Sequence, residues 1–74
     1  MTVSALSRPF LLSFTGPGRP LMQFAIGSDE ANSVLRCFPI IRATAHKVVL
    51  RHVNGTFFLT PATLGGGPAF EVAK

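Results

Sequence analysis

Asn54-Gly55 lies between two runs of alternating side chains, and no other feature constrains the fold as much. Asn-Gly accommodates positive φ at both central positions of a tight turn. His46 to Val53, then Asn54-Gly55, then Thr56 to Thr60 is therefore expected to fold back on itself as a β-hairpin. A two-residue turn at that dipeptide sets Val53 opposite Thr56, His52 opposite Phe57, Arg51 opposite Phe58 and Leu50 opposite Leu59. Alternation then sorts the hairpin into two faces. One carries Val48, Leu50, Phe57 and Leu59, with His46 and His52 towards its ends, and is the natural core. The other carries Lys47, Val49, Arg51 and Val53 beside Thr56, Phe58 and Thr60.

A second turn signal lies upstream. Pro9 to Phe14 alternates Phe10, Leu12 and Phe14 against Leu11 and Ser13, and Leu21 to Ile26 sets Met22, Phe24 and Ile26 on one face. Between them, Pro17 presets φ for the first central position of a type II turn and Gly18 supplies the positive φ needed at the second. Ser28 then reads as a helix cap, with Asp29 and Glu30 at the positive end of the helix dipole. Ala31, Val34, Leu35 and Phe38 follow at helical spacing, and Pro39 limits the helix to about three turns. Ile40 and Ile41 fit either a short strand or a buried connection. Gly65-Gly66-Gly67-Pro68 reads as a flexible loop, and Ala69 to Ala73 as a final strand with Phe70 and Val72 on one side.

The expected order is ββαβββ: an α+β, two-layer domain whose antiparallel sheet is covered on one face by one short helix. The alternative is a small all-β barrel in which the helix shrinks to a single turn. Residues 1–74 read as one domain, with residues 1–8 as a loose N-terminal arm or an edge segment.

A chain of 74 residues buries only roughly 60% of the surface it exposes when unfolded, so its stability is marginal. Such domains lean on disulfides, a metal or a partner. Cys37 is the only cysteine, which excludes an internal disulfide and points to a reducing, cytoplasmic setting. Hydrophobic residues make up 47% of the chain, charged residues only 14%, and the mean hydropathy is +0.42, so some apolar surface is expected to meet a partner or a second copy. No stretch approaches the roughly 20 apolar residues that a spanning helix needs. The N-terminus is not expected to act as a signal peptide: its first cation, Arg8, stands just before the apolar run, and no small-residue cleavage site follows a run of adequate length.

The net charge is +4, from Arg8, Arg19, Arg36, Arg42, Lys47, Arg51 and Lys74 against Asp29, Glu30 and Glu71. This balance favours an anionic partner, whether nucleic acid, an acidic protein face or a nucleoprotein. Lys47 and Arg51 share a strand face with Phe58, and cations interleaved with an aromatic on a sheet can hold phosphates and stack bases. The same residues also fit a plain solvated face on which Arg51 covers Phe58 as a cation–π pair. Arg19, at the tip of the Gly-Pro-Gly turn, adds a further cation on a loop.

Catalytic and cofactor chemistry find little support. Cys37, His46 and His52 lack the closely spaced pairs of a structural zinc site. Cys37 precedes Phe38-Pro39 in an apolar neighbourhood, where a thiol is expected to be an inert core residue. Asp29 and Glu30 are accounted for by the helix start. The triple glycine lacks the lysine of a phosphate-cradling loop and reads as a plain linker. No catalytic residue, metal site or cofactor is assigned.

The short helix from Ser28 ending in Cys37-Phe38, followed by the hairpin Val53-Asn54-Gly55 running into Phe57-Phe58, resembles the layout of small phage-encoded inhibitors, anti-CRISPR proteins among them. That resemblance implies a compact, basic, non-enzymatic protein that works in the host cytoplasm by covering a nucleic-acid-binding surface or an assembly interface. The chain departs from that pattern in having few lysines and an apolar N-terminal half. The expectation is therefore a binding module docking on a larger protein or nucleoprotein through Arg19, Lys47, Arg51 and Phe58. The alternatives are direct nucleic-acid binding and a structural subunit of a virion or ribonucleoprotein.

Overall fold

In a computed structural model describing residues 2–63 and 65–73, seven strands and one helix form among the described residues. They are β1 (Thr2–Ala5), β2 (Phe10–Gly16), β3 (Arg19–Ile26), α1 (Ser28–Cys37), β4 (Ile40–Ala43), β5 (Val48–His52), β6 (Gly55–Pro61) and β7 (Phe70–Ala73). The α+β class holds, but the order ββαβββ does not: residues 2–5, read as part of a loose arm or an edge segment, form a strand, and Ile40–Ala43 is a strand. Five strands make one antiparallel sheet in the order β3-β2-β6-β5-β4, while β1 and β7 pair as a separate ribbon. The Cα radius of gyration, 11.6 Å, is close to the value of about 11 Å that chain length implies for a packed domain.

The second hairpin forms, but its turn sits one residue earlier than Asn54-Gly55. His52 pairs with Gly55, which leaves Val53 and Asn54 as the turn residues. Leu50 therefore faces Phe57 rather than Leu59, and Arg51 faces Thr56 rather than Phe58. Among the described residues, no non-glycine residue takes a positive φ, and Gly55 is not among the positive-φ glycines, so this dipeptide is not used for its left-handed freedom. Gly55 is needed for space. A Cβ there would run into the Thr15 carbonyl oxygen and stand 2.9 Å from Phe14 Cζ, because β6 crosses close to β2 at this point. Moving the turn by one residue shifts the pairing by two and leaves every side chain on its expected face.

The core face follows the alternation. Phe10, Val48, Leu50 and Leu59 have no solvent exposure, and Leu12, Phe57 and Ile40 pack beside them. His46 falls outside this face. It lies exposed in the bend before β5, because Thr44 turns the chain there. Thr44 Oγ1 accepts the His46 and Lys47 N–H groups at 3.3 and 3.1 Å and donates to the Lys47 carbonyl at 3.1 Å.

Helix α1 lies on this core face and buries Ala31 and Leu35. Gly27, not Ser28, occupies the N-cap, with extended backbone, and its N–H donates to the Glu30 carboxylate at 3.0 Å. Ser28 is the first helical residue. Cys37 is exposed at the last turn and not in the core, since the buried stripe runs through Ala31 and Leu35 and a ten-residue helix covers only that side.

The β1-β7 ribbon completes the covering layer. Asn32 of α1 accepts the Ala5 N–H at 2.8 Å and donates to the Ala5 carbonyl at 3.2 Å, fastening β1 to the helix. Phe70 of β7 is buried, with its ring 5.2 Å from that of Phe10. The N–H groups of Ala69 and Phe70 both donate to the Ala45 carbonyl, at 2.8 and 3.1 Å. The glycine loop before β7 is also held. Gly65, Gly66 and Gly67 take φ of 85°, 78° and 78°, and Arg8 donates to the carbonyls of Thr63, Gly65 and Gly67 at 3.2, 2.8 and 3.2 Å. What read as a flexible linker is a shaped cradle for one guanidinium.

Candidate functional site

The layer of α1, β1 and β7 covers one face of the five-stranded sheet only. The alternation puts Ser13 and Thr15 of β2, Thr56, Phe58 and Thr60 of β6, and Val49 and Arg51 of β5 on the opposite face. Arg42 of β4 pairs with Val49 and joins them. The helix and the β1-β7 ribbon pack on the other side, so this face keeps Thr15, Val49, Thr56, Phe58 and Thr60 half-exposed, with Ser13 buried among them.

Its electrostatics are one-sided. Arg42 and Arg51 are exposed, and Lys47 stands at the entrance to β5 beside them. Lys47 Nζ lies 4.8 Å from the Phe58 ring centroid. The cation–π pair therefore forms with Lys47 rather than with Arg51, because the shifted register carries Phe58 away from Arg51 to sit across from Val49. Arg51 is left with its guanidinium uncommitted among the hydrogen bonds of the described residues. Arg42, Thr44, Lys47 and Val49 line a shallow recess of about 220 Å³ at the same edge. The acids lie elsewhere: Asp29 and Glu30 in the first turn of α1, Glu71 on β7.

Of the four residues expected to make contacts, Lys47, Arg51 and Phe58 come together on this face. Arg19 does not. It borders the groove on the other side, with Phe14, Met22, Phe24, His52 and Phe57, at the end of the core face that α1 leaves uncovered. Gly18 does take the expected positive φ, 69°, and this turn carries Arg19 away from Lys47 and Arg51. Phe14, His52 and Phe57 of that groove join Phe38 in an aromatic cluster whose contacting ring centroids lie 5.0 to 5.7 Å apart.

Sequence reasoning missed Arg42 because Ile40 to Ala43 could not be assigned to a strand. Its spacing from Val49 becomes meaningful only once β4 pairs with β5. Arg8 also gained no role from its surroundings in sequence, since its three acceptors lie 55 to 59 residues away.

Two of the remaining cations are occupied or distant. Arg8 is spent on the glycine loop, and Arg36 reaches Ser33 Oγ at 3.5 Å on the helix. Lys74 and Met1 lie outside the described residues. Among the described residues, no three of His, Cys, Asp and Glu gather in a way that could hold a metal ion. Among the described residues, no helix is long and apolar enough to cross a membrane.

The fold and this surface define a small α+β domain with one covered and one open sheet face. Comparison with protein families, curated proteins and solved structures found no match to the chain.

Proposed function

We propose that this protein is a non-enzymatic binding module that docks its open sheet face on an anionic surface of a larger protein or nucleoprotein. The observation that carries the reading is the segregation of charge: Arg42, Lys47 and Arg51 share one uncovered face, while Asp29, Glu30 and Glu71 belong to the covering layer. Cations of one sign on a flat surface raise the encounter rate with an anionic partner and set its orientation. Thr15, Thr56 and Thr60, half-buried on the same face, offer hydroxyls beside them without adding charge, while Ser13 is buried and accepts the Gln23 side-chain amide at 3.3 Å. Docking of this kind inhibits a complex by covering the surface that it needs, which is the mode of the phage-encoded inhibitors whose layout the chain resembles.

The test replaces Lys47 and Arg51 together by Glu. Binding is followed by fluorescence anisotropy with two probes, a polyglutamate peptide and a short single-stranded oligonucleotide. The proposal expects wild-type binding that weakens with salt and is lost in the double variant, with circular dichroism unchanged. Equal binding by wild type and variant would remove the open face from the function.

Direct nucleic-acid binding is the second reading, favoured by Phe58 lying among cations on a sheet face. It requires the oligonucleotide to bind much more tightly than the peptide and with a steep salt slope. The position of Lys47 over the Phe58 ring weighs against base stacking there.

A further inference from the structure

The two edges of the five-stranded sheet differ. At one edge, β4 has four residues, a bulge between Ile40 and Arg42, and a charge on Arg42, all of which discourage pairing with another strand. At the other edge, β3 runs for eight residues and carries no charge between Arg19 and Asp29. Leu21, Met22 and Phe24 are 58%, 45% and 47% exposed along it. An edge this long and apolar needs an occupant.

Its hydrogen-bonding groups can be located from the ladder. The Arg51 N–H donates to the Pro39 carbonyl, which turns odd-numbered residues of β5 towards β4. Alternation across the pairs Leu50–Phe57, Ser13–Phe58 and Leu12–Phe24 then turns Phe24 and Met22 inward, towards β2. The N–H and C=O groups of Gln23 and Ala25 therefore point outward, as do those of Leu21 where the ladder reaches its bulge. Pro20, the one residue of β3 without a donor, falls outside this set.

We propose that β3 is the docking edge for β3 of a second copy, paired antiparallel about a two-fold axis at Gln23. In this register Gln23 faces its own counterpart and Leu21 faces Ala25 of the second copy, so the outward groups of each strand meet those of the other. Met22 falls opposite Phe24, where a thioether and an aromatic ring cover each other's exposed surface. Arg19 falls opposite Gly27, beside the Glu30 carboxylate that Gly27 already engages and close to Asp29. The ends of the edge are thus oppositely charged, and antiparallel pairing brings each to its complement twice. No second partner is needed to satisfy them. The two-fold runs perpendicular to the sheet, so the two open basic faces join into one continuous surface.

Sedimentation equilibrium tests this on the full chain in three steps. Wild type should sediment as a concentration-dependent dimer. Ala25→Pro, which removes an outward N–H and leaves the β2 ladder intact, should weaken association about tenfold or more. Arg19→Glu should weaken it as well, and Arg19→Glu with Asp29→Arg should restore it. The register is read by a cross-link. With Cys37→Ser, Gln23→Cys should oxidise to a disulfide dimer, because paired Cα atoms lie about 5.5 Å apart. Ala25→Cys should not, since its own counterpart is four residues out of step. A monomer at millimolar concentration, or a dimer untouched by Ala25→Pro, would overturn the proposal. A dimer in which Ala25→Cys cross-links in place of Gln23→Cys would overturn the register. These outcomes concern β3 alone and leave the open-face reading to its own test.

Discussion

The two faces of the five-stranded sheet are drawn from the same strands by alternation, interrupted by a bulge in β4 that puts Ile40 and Arg42 on opposite faces, yet their contents differ. The covered face holds Phe10, Val48, Leu50 and Leu59 without solvent exposure, under Ala31, Leu35 and Phe70. The open face holds Ser13, Thr15, Thr56, Thr60 and Phe58, with Arg42, Lys47 and Arg51 at one side. The buried core therefore belongs to one face, and the proposed recognition surface is the other, so substitutions on the two should separate cleanly. A domain this small has few core side chains, so each carries a large share of a stability that is only a few kcal/mol in total.

The largest effect is expected from Leu50→Ala or Phe10→Ala. Each leaves a cavity in a site with no exposure and should cost about 3–5 kcal/mol, enough to unfold most of the population in urea titration near neutral pH. A loss under about 1 kcal/mol would mean that the covered face is not the core. Gly55→Ala comes next, because its Cβ meets the Thr15 carbonyl oxygen and Phe14; a loss of about 1–3 kcal/mol is expected in thermal denaturation. Gly18→Ala is the sharper comparison. It has open space around it but a φ of 69°, so its cost should be about 1–2 kcal/mol and purely conformational. Asn32→Ala should cost about 1–3 kcal/mol by orphaning both Ala5 backbone groups, and hydrogen exchange should speed up at Ala5 before it does in the main sheet. The smallest effect on stability belongs to Lys47→Glu with Arg51→Glu, within about 0.5 kcal/mol, although the same pair should abolish anionic binding. If that variant unfolds the domain, the division between the two faces fails.

Much of this division is legible in the residues. Faces depend on period two, and a turn that moves by one residue changes the register without changing the faces. Hence Val48, Leu50, Phe57 and Leu59 were placed correctly while their partners across the hairpin were not. Gly18 could be read because Pro17-Gly18 has a local requirement that the dipeptide alone meets. Gly55 could not, because its reason is the approach of a strand from elsewhere in the chain. β1 could not be assigned from the residues alone since Thr2–Ala5 is short and mostly exposed, and what orders it is Asn32 and strand partners 65 to 71 residues away.

The candidate site divides in the same way. That Lys47, Arg51 and Phe58 share a face follows from spacing along two strands joined by a turn. Which cation covers Phe58, that Arg42 joins them and that Arg19 leaves them depend on register, on β4 pairing with β5, and on the turn at Gly18. By itself the sequence determined an antiparallel, helix-covered domain with one apolar and one basic strand face, because alternation and turn chemistry act over a few residues. Only the tertiary structure decided strand order, the ribbon of β1 and β7, the use of Arg8 and the exposed β3 edge. Each of these rests on groups far apart in the chain that meet only after packing, and no local pattern encodes which distant group will arrive.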